Sequence, residues 1–412
     1  MIAQNAHITV DEARARILQG IAPLHAISYP LDRALGLVLA RDVPAFHDNP
    51  PFDNAAMDGF ACRAAEIASA TQEKPVWLPV AAEIMAGADN AGMLAAGTIA
   101  RIMTGAPVPF GADTVVPFEE TGGGTGVVGV EGSRAARANV RRKGEDFRSG
   151  ETLLHAGTRL GPSQIALLAA LGNTVVAVVR PPRVGILATG NEIVPSGTPL
   201  APGQIWDSNG PALVALVAQA GAIPVSLGIA RDDATALRSR LDEARDAGLD
   251  LLITSGGVSA GDFDLVKDVL RASGEMAFWS VRIKPGKPLA FGVLDGLPLI
   301  GLPGNPVAGI VAFLQFVRPA LMKMMGRADL LLPEIEATLL DPIDNRGGRR
   351  NFVRVRVVPS ADGWVARSAG AQGSAQLSTL ARANGLLVIP EDVALAEPGM
   401  RFAVQMPDWN PG

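Results

Sequence analysis

Three glycine-rich turns lie where the sequence predicts a buried strand followed by a helix, at 189–192, 254–264 and 301–306. Backbone amides and the helix dipole at such places attract anions, and glycine lets the backbone approach a phosphate closely. One turn of this kind is routine in α/β folds, but three in one stretch of chain indicate a phosphorylated ligand. The predicted chemistry is the binding of phosphate or another oxyanion beyond the carboxyl ends of parallel strands.

Carboxylates accompany two of these turns and suit a divalent cation. Glu192, Asp262 and Asp264 are hard oxygen ligands, which Mg²⁺ favours when it also bridges to phosphate. For Asp262 and Asp264 the alternative is a structural role as the N-cap of the next helix. Asp232 and Asp233, before another predicted helix, have the same two interpretations.

Two lysines stand three residues apart, Lys284 and Lys287, around a Pro-Gly turn in a chain that has only six lysines. The turn would fix the directions of both side chains. Neighbouring charges usually mark a solvated face, but the flanking predicted strands are apolar. We therefore expect both ammonium groups to act as point charges on a phosphate or another oxyanion.

The surrounding elements place these groups in a multidomain α/β protein. Strands alternate with helices over 179–328, which is typical of a doubly wound α/β domain. Short Val/Ile runs and frequent turns over 47–144 predict a small β-rich domain, and alternating apolar residues predict an all-β domain over 329–412. A capping box from Thr9 to Glu12 predicts an N-terminal helix.

Composition excludes several classes of site. The 412-residue chain has a formal net charge of −5, one cysteine and four scattered histidines. Cys62 alone can form neither an intrachain disulfide nor a thiolate-rich metal site, and the histidine spacing fits no zinc centre. The charge argues against broad neutralisation of nucleic-acid phosphates. With no signal-peptide pattern and no uninterrupted apolar run near 20 residues, we expect the cytoplasm, and 307–316 is predicted to be a buried core helix.

Three further segments, at 49–61, 101–109 and 141–146, have the composition of connecting loops, and residue chemistry alone assigns them no role. In chain order, however, eight segments together closely resemble the molybdopterin molybdenumtransferase family, called MoeA in bacteria and related to the E domain of gephyrin. The segments are PPFDNAAMDGFA (50–61), RIMTGAPVP (101–109), RRKGEDF (141–147), ATGNEIV (188–194), DSNGPAL (207–213), TSGGVSAGDFD (254–264), IKPGKPLAFG (283–292) and LPGNPVA (302–308). Each motif is short, but the ordered set is specific and spans nearly the whole chain.

The resemblance implies the final step of molybdenum cofactor synthesis. In that step molybdate enters the dithiolene of adenylylated molybdopterin and AMP is released, with Mg²⁺ as cofactor. The implied fold is α/β and multidomain. It has a MogA-like doubly wound domain (179–328), a β-rich domain (47–144), a discontinuous helical linking domain (1–46 with 145–178) and a C-terminal small β-barrel-like domain (329–412). The implied assembly is a homodimer whose upstream partner is molybdopterin adenylyltransferase, without nucleic acid or membrane.

The resemblance also implies site residues. The catalytic positions are Asp58, Thr104, Asp146, Glu192, Asp232, Asp264, Lys284 and Lys287. The substrate-binding positions are Ser255, Gly256, Gly257, Ser259, Pro303, Gly304, Asn305, Pro306, Arg349, Arg354 and Ser374. Mg²⁺ is assigned to Glu192 and Asp264, with Asp232. Asp58 and Thr104 are expected to meet the α/β domain of the other subunit.

Three alternatives stay open at this point. The related adenylyltransferase shares the α/β domain but consumes ATP, and the MDG and MTGAPVP motifs favour the insertion step. A scaffold role, as in gephyrin, would require lost carboxylates, yet Glu192 and Asp264 are present. A paralogue that handles tungstate is the third, because the two oxyanions are nearly isosteric.

Overall fold

The computed structural model describes residues 7–89, 92–124, 126–231, 233–257 and 274–407. Four acidic or hydroxyl residues named above lie outside the described residues: Asp232, Ser259, Asp262 and Asp264. The chain divides into two compact units. The first unit comprises Met1–Arg41, Gly157–Ile165 and Thr174–Gly412, and the second comprises Asp42–Ala156 and Ala166–Asn173.

The main sheet of the first unit has seven strands in the described part of the chain. They are β1 (His7–Ile8), β2 (Arg183–Thr189), β3 (Ile223–Ala230), β4 (Leu251–Ser255), β5 (Gly274–Val281), β6 (Pro288–Leu294) and β7 (Leu297–Leu302). Their order is β1-β5-β6-β7-β4-β2-β3, and β6 is antiparallel to both of its neighbours. The strands β7, β4, β2 and β3 are parallel, so their carboxyl ends reach the same edge of the sheet.

Helices cover both faces of this sheet. The helices of the described chain are α1 (Val10–Gln19), α2 (Pro162–Ala170), α3 (Asn209–Gln219), α4 (Ala234–Asp246), α5 (Pro306–Ala312), α6 (Arg318–Met324) and α7 (Leu377–Arg382). Ile186 and Ile253 pack on the side of α1, α3, α5 and α6, whereas Leu187 and Leu252 pack on the side of α4. This alternation, with period two along each strand, confirms the doubly wound α/β domain.

Local sequence signals set the ends of several helices. The Thr9 side chain accepts the amide of Glu12, and Glu12 bonds back to the Thr9 amide, so the predicted capping box is confirmed. α5 starts at Pro306 and continues through a π-helical segment, Phe313–Val317, into α6. The combined helix is long and apolar enough to cross a membrane by length and composition, but 89% of its most apolar window is buried inside the protein. It is therefore the predicted buried core helix.

The second unit is rich in short strands. Its largest sheet orders six strands as Thr121–Gly123, Val127–Val130, Val76–Ile84, Ile99–Ile102, Gly59–Cys62 and Thr114–Pro117. Two small pairs join Asn54–Ala55 to Val140–Arg141 and Val43–Pro44 to Thr152–Leu154. Short 3₁₀ helices lie at Ala64–Ile67 and Phe118–Glu120. The predicted β-rich character of this part of the chain is confirmed.

Two further sheets complete the first unit. Val175–Val179 pairs with Ala26–Pro30 and Val38–Leu39, beside a 3₁₀ turn at Leu31–Arg33, so distant segments share one sheet. The C-terminal barrel consists of Glu334–Leu339, Arg350–Ser360, Gly363–Ser368, Gly385–Ile389 and Arg401–Gln405, with Ile283–Lys284 at its edge. Arg350–Ser360 pairs with both Gly363–Ser368 and Gly385–Ile389, which closes the ring. Short strand pairs join Ile193–Val194 to Ile205–Trp206 and Ile343–Asp344 to Leu395–Ala396.

Candidate functional site

The three predicted turns meet at the carboxyl edge of the main sheet. The hydroxyl of Thr189, at the end of β2, donates to the carbonyl of Ser255 at the end of β4 over 3.2 Å. The amide of Gly256 donates to the carbonyl of Leu302 at the end of β7 over 3.1 Å. Neighbouring strand ends are therefore linked by hydrogen bonds, as the topology of parallel strands requires.

Gly256 makes this close approach possible. Its φ is +93°, a left-handed conformation that residues with a Cβ rarely adopt. A Cβ atom built there would lie 2.7 Å from the carbonyl oxygen of Thr189 and 2.8 Å from its hydroxyl. The position therefore requires glycine both for its backbone conformation and for the space beside Thr189.

Asn209, which the sequence reasoning did not select, ties two of the turns together. The side chain is buried at the start of α3, with 9% of its surface exposed. Its amide nitrogen donates to the hydroxyl of Ser255 and to the carbonyl of Gly304, each over 2.7 Å. The sequence feature that could have indicated Asn209 is its position in the DSNGPAL motif. It is a polar residue just before Pro211, at the start of a helix that is otherwise apolar.

The third turn offers fewer free amides than its sequence predicts. Pro306 has no amide hydrogen, and the amide of Val307 donates to the carbonyl of Ser374 over 3.0 Å. The Asn305 side chain makes no capping hydrogen bond at the start of α5. The hydrogen bond from Val307 brings Ser374, from the C-terminal part of the chain, to the turn that carries Pro303 and Gly304.

The turn between Lys284 and Lys287 packs against the third glycine-rich turn and the start of α5. Gly286 has a φ of +96°, and a Cβ there would lie 3.1 Å from the Ala308 Cβ and 3.3 Å from the Pro303 side chain. Lys284 is half-buried, and its Nζ lies 3.5 Å from the carbonyl oxygen of Asp344. Lys287 is exposed. The Pro-Gly turn between the lysines thus lies directly beside the start of α5.

Glu192 is the one predicted magnesium ligand among the described residues. It is exposed, and its carboxylate oxygens lie 2.6 and 2.9 Å from where a Cβ of Gly190 would be, in space that glycine leaves open. Within the described chain, no group of three or more His, Cys, Asp or Glu side chains is arranged to hold a metal. Asp232 and Asp264 lie outside the described residues.

Arg354 is buried behind the Ser374 segment. One per cent of the residue is exposed, and its guanidinium donates to the Thr379 hydroxyl and to the carbonyls of Ala371 and Gly373. Burial lowers the pKa of Arg354 to about 10. These bonds hold the strand that bears Arg354 to the segment that precedes Ser374.

Arg349 is half-buried just before that strand. Its carbonyl accepts a hydrogen bond from the Asn345 side chain over 3.1 Å. The next residue, Arg350, donates from its two terminal guanidinium nitrogens to the two carboxylate oxygens of Asp11, each over 2.9 Å. Arg350 and Asp11 therefore anchor the backbone from which Arg349 projects.

The second unit assembles the remaining predicted residues from three loops. The amide and the hydroxyl of Thr104 both donate to Oδ1 of Asp58 over 2.7 Å, and these bonds lower the pKa of Asp58, the backbone bond most. Asp146 accepts a hydrogen bond from the Asn49 side chain over 2.9 Å and bonds the Asn49 carbonyl through its amide. The loop 49–58 is thus tied to both Thr104 and Asp146.

Two polar constellations result. In the first unit, strand-end hydroxyls, glycine turns and lysines lie around the carboxyl edge of the sheet, where they can bind phosphate and oxyanion groups. In the second unit, an exposed carboxylate is held by a threonine at a loop surface. Each constellation contains residues that were predicted from separate motifs, and Asn209 adds the link between Ser255 and Gly304.

Three family models match successive parts of the chain. The MoeA N-terminal region (domain I and II) matches residues 8–172, and a probable molybdopterin binding domain matches residues 185–323. The MoeA C-terminal region (domain IV) matches residues 336–406. The second of these models covers the strands and turns of the main sheet that form the polar constellation of the first unit.

Full-length relatives agree with these models. The chain is 41% identical over 403 residues to molybdopterin molybdenumtransferase 2 of Mycobacterium tuberculosis, covering 96% of this chain and 98% of that protein. It is 34% identical over 402 residues to the molybdopterin molybdenumtransferase of Haemophilus influenzae, covering 97% and 98%. A crystal structure of the molybdopterin biosynthesis MoeA protein from Pyrococcus horikoshii matches with a TM-score of 0.83 and 30% identity, covering 97% of this chain and all of that one.

Proposed function

The chain belongs to the MoeA family of molybdopterin molybdenumtransferases, and on that premise we propose how its residues carry out the reaction. It is a transferase of the final step of molybdenum cofactor biosynthesis. The substrates are molybdate and adenylylated molybdopterin, and AMP leaves when molybdate enters the dithiolene. The observation that supports this proposal is that Asn209 links two of the turns at one edge of the sheet. The phosphates that join the pterin to AMP need several anion-binding groups in one place.

Lys284 and Lys287 supply positive charge to this edge. The Gly286 turn between them packs on Pro303 and Ala308, so both lysines start from a rigid support beside α5. Their ammonium groups would balance the charge of the pterin phosphate and of molybdate, while the turn at Ser255 and Gly256 positions the phosphate. Both lysines therefore act on substrate charge and not as ligands of molybdenum.

The dithiolene sulfurs that receive molybdenum belong to the substrate, so the enzyme needs no thiolate. Cys62 is fully buried, and desolvation, with smaller contributions from Asp113 and Glu66, raises its pKa to about 12. A protonated, inaccessible thiol cannot take part in the transfer. The scarcity of cysteine, which first excluded a thiolate-rich metal centre, is consistent with molybdenum as a substrate.

We assign Mg²⁺ to Glu192 together with Asp264 and Asp232. Glu192 fits this assignment, because its exposed carboxylate lies over Gly190 at the end of β2, where a phosphate on the turns would be adjacent. When bound, Mg²⁺ would act as a Lewis acid and as a clamp on the phosphate charge. Glu192→Gln should raise the Mg²⁺ concentration needed for half-maximal AMP release at least tenfold, and an unchanged requirement would exclude Glu192 as a ligand.

The decisive experiment measures AMP release from purified adenylylated molybdopterin. The protein is incubated with and without molybdate and Mg²⁺, with tungstate as a separate arm, and AMP is quantified by chromatography. Molybdate-dependent AMP release without consumption of ATP supports the proposal. Consumption of ATP with free molybdopterin would instead assign the preceding adenylylation step, and the absence of both reactions would favour a scaffold role.

We further propose a cytoplasmic homodimer in which Asp58 and Thr104 of one subunit complete the site of the other, with molybdopterin adenylyltransferase as the upstream partner. The bonded Asp58–Thr104 pair supports the shared site. It holds an exposed carboxylate in a fixed direction, but the loop that carries this carboxylate has no phosphate-binding turn beside it. Mixing inactive Asp58→Ala with inactive Lys284→Ala should restore about a quarter of wild-type activity, as statistical exchange of subunits predicts. No recovery, or a monomer by light scattering, would overturn it.

A further inference from the structure

An exposed tryptophan lies at the carboxyl edge of the main sheet, where the proposed reaction gives it no role. Trp206 belongs to the short strand Ile205–Trp206, which pairs in parallel with Ile193–Val194 directly after Glu192. The exposed fraction of this residue is 52%. The other exposed phenylalanine and tryptophan side chains of the described ranges lie in the second unit or in the C-terminal barrel: Phe46, Phe52, Trp77, Phe110 and Trp364. Among the described residues, Trp206 is therefore the exposed ring of the α/β domain.

Two backbone hydrogen bonds hold this strand beside Glu192. The amide of Ile205 donates to the carbonyl of Glu192, and the amide of Asp207 donates to the carbonyl of Val194, each over 2.8 Å. Trp206 lies between the two donors, so its backbone cannot leave Glu192 unless these bonds break. The tryptophan is thus attached to the segment that carries the proposed magnesium ligand.

The chain that follows Trp206 leads directly to the linked turns. Oδ1 of Asp207 accepts the amide of Gly210 over 2.8 Å, which fixes the entry into α3. Asn209, just before Gly210, bonds to two of the turns through its side chain. Three residues of chain span at most about 11 Å, so the Cα atoms of Trp206 and Asn209 are no farther apart than that. The ring at one end of a ligand whose phosphate lies on the turns can therefore reach Trp206.

The indole of Trp206 is held in one orientation and still has open surface. Its Nε1 donates to the carbonyl of Thr198 over 2.8 Å, so its hydrogen-bond donor is satisfied within the loop 195–204. Leaving an apolar ring in water is unfavourable, and burial against a ligand would remove that cost. A ring that is already oriented also loses little conformational entropy when it binds a flat partner. These properties suit stacking on a heteroaromatic ring.

We propose that Trp206 stacks on a heteroaromatic ring of adenylylated molybdopterin, either the adenine or the pterin. This inference rests on the proposed function, in which the phosphates between the two rings occupy the glycine-rich turns. With the phosphates in that position, both rings must lie beyond the turns, and the strand that bears Trp206 begins at that edge of the sheet. Trp206 would then fix the direction in which one ring leaves the phosphate site.

Calorimetric titration of the full-length protein tests the stacking with three probes: AMP, ribose 5-phosphate and molybdopterin. The variants are Trp206→Leu, which removes the aromatic ring, and Trp206→Phe, which keeps a ring but loses the bond from Nε1. The matched control is Trp364→Leu, at an exposed tryptophan of the barrel. Trp206→Leu should bind AMP or molybdopterin at least about fivefold more weakly than wild type and control, as expected for the loss of one stacked ring.

The three probes separate stacking from an effect on the phosphate turns. Ribose 5-phosphate has no base, so all four proteins should bind it equally. A loss confined to AMP identifies the adenine as the stacked ring, and a loss confined to molybdopterin identifies the pterin. Trp206→Phe should retain most of the affinity for the same probe, because its ring can still stack.

Steady-state AMP release gives a second readout. Trp206→Leu should raise KM for adenylylated molybdopterin by a factor similar to the loss of affinity and leave kcat within about twofold, since stacking acts on the bound substrate and the transition state alike. Trp364→Leu should change neither constant.

Several results would overturn the proposal. Unchanged binding of AMP and molybdopterin by Trp206→Leu would exclude stacking, and a changed mass of that variant by light scattering would then assign the ring to a protein interface. Equal losses in Trp206→Leu and Trp206→Phe would make the bond to Thr198 the function of the side chain. Wild-type protein that releases AMP normally in these cases would leave the proposed function intact, whereas wild type that binds neither probe and releases no AMP would overturn that function as well.

Discussion

The amide and the hydroxyl of Thr104 donate to the same carboxylate oxygen of Asp58, each over 2.7 Å. Two motifs that are 46 residues apart in the chain, MDG and MTG, thereby form one local unit. Both donors stabilise the ionised carboxylate, so the pKa of Asp58 lies below its ordinary value of 3.8, chiefly because of the backbone amide. A carboxylate held ionised and in a fixed direction suits contact with a positively charged or hydrogen-bond-donating group.

Thr104→Ala should raise the pKa of Asp58 toward 3.8 without reaching it, because the backbone donor remains. Thr104→Ser keeps the hydroxyl and should leave the pKa low. Since the folded-state pKa is depressed, the stabilisation from this pair is complete above about pH 4 and is lost as the pH falls through that pKa. Titration of the Asp58 carboxyl carbon by NMR measures the shift, and identical curves for the three proteins would contradict the prediction.

Gly256→Ala should disrupt the carboxyl edge of the sheet. The left-handed backbone costs about 1–2 kcal/mol for any residue with a Cβ. The new methyl group would also meet the carbonyl of Thr189 at 2.7 Å, so the turn must shift. Gly296→Ala is the matched control, because Gly296 has a φ of +88° but no atom within 4 Å of the added Cβ.

Unfolding in urea and the rate of AMP release separate the two effects of these substitutions. In urea, both variants should show a lower free energy of unfolding, because alanine is strained in the left-handed backbone conformation. Only the Gly256→Ala variant should also lose most of its activity. Equal activity in the two variants would mean that the close approach to Thr189 is not needed at this site.

Local signals in the sequence account for much of this fold. β7 and the start of α5 lie at the predicted residues, since an apolar run and a Pro after a Gly-Asn turn act over a few residues. Asn209 could not be found in this way, because its partners Ser255 and Gly304 lie 46 and 95 residues away. Its role depends on the strand order, which brings the ends of β4 and β7 together.

The C-terminal barrel shows the same limit. The alternating apolar residues that predict the all-β domain are typical of half-buried strands, but Asn351 to Val355 are all buried. The inward residues Val353 and Val355 pack in the barrel, while the segment before Ser374 covers the outer face around Arg354. The alternation of apolar residues predicts which face of a strand packs in the core. It cannot predict that a segment from elsewhere in the chain covers the other face.

Asn209→Ala should weaken the reaction more than it weakens the fold. Removing the side chain breaks its bonds to Ser255 and Gly304, which together contribute roughly 1–3 kcal/mol. The two turns would then be free to move apart, and we expect kcat/KM for AMP release to fall at least tenfold. The effect acts through Ser255 and the Gly304 turn, so Asn209 is a positioning residue.

Asn384→Ala is the control for that variant. Asn384 also makes two side-chain hydrogen bonds, to the amide and carbonyl of Val357 in the barrel, over 2.7 and 2.9 Å. Its removal should cost similar stability in urea unfolding while leaving kcat/KM within about twofold. If both variants lose activity in proportion to their stability, Asn209 has only a structural role.

Arg354→Ala should destabilise the protein before any substrate is present. The guanidinium is buried and bonded to Thr379, Ala371 and Gly373, and loss of such charged hydrogen bonds costs about 2–3 kcal/mol. Arg354→Lys keeps the charge but not the planar set of donors, so it should also lower the free energy of unfolding. Arg349→Ala, at a half-buried guanidinium before the same strand, should lower activity with little change in stability. Urea unfolding, compared with KM and kcat for AMP release, decides whether Arg354 has a structural role or binds the substrate. An Arg354→Ala protein that is as stable as wild type but inactive would contradict the structural role and would place the guanidinium on the substrate.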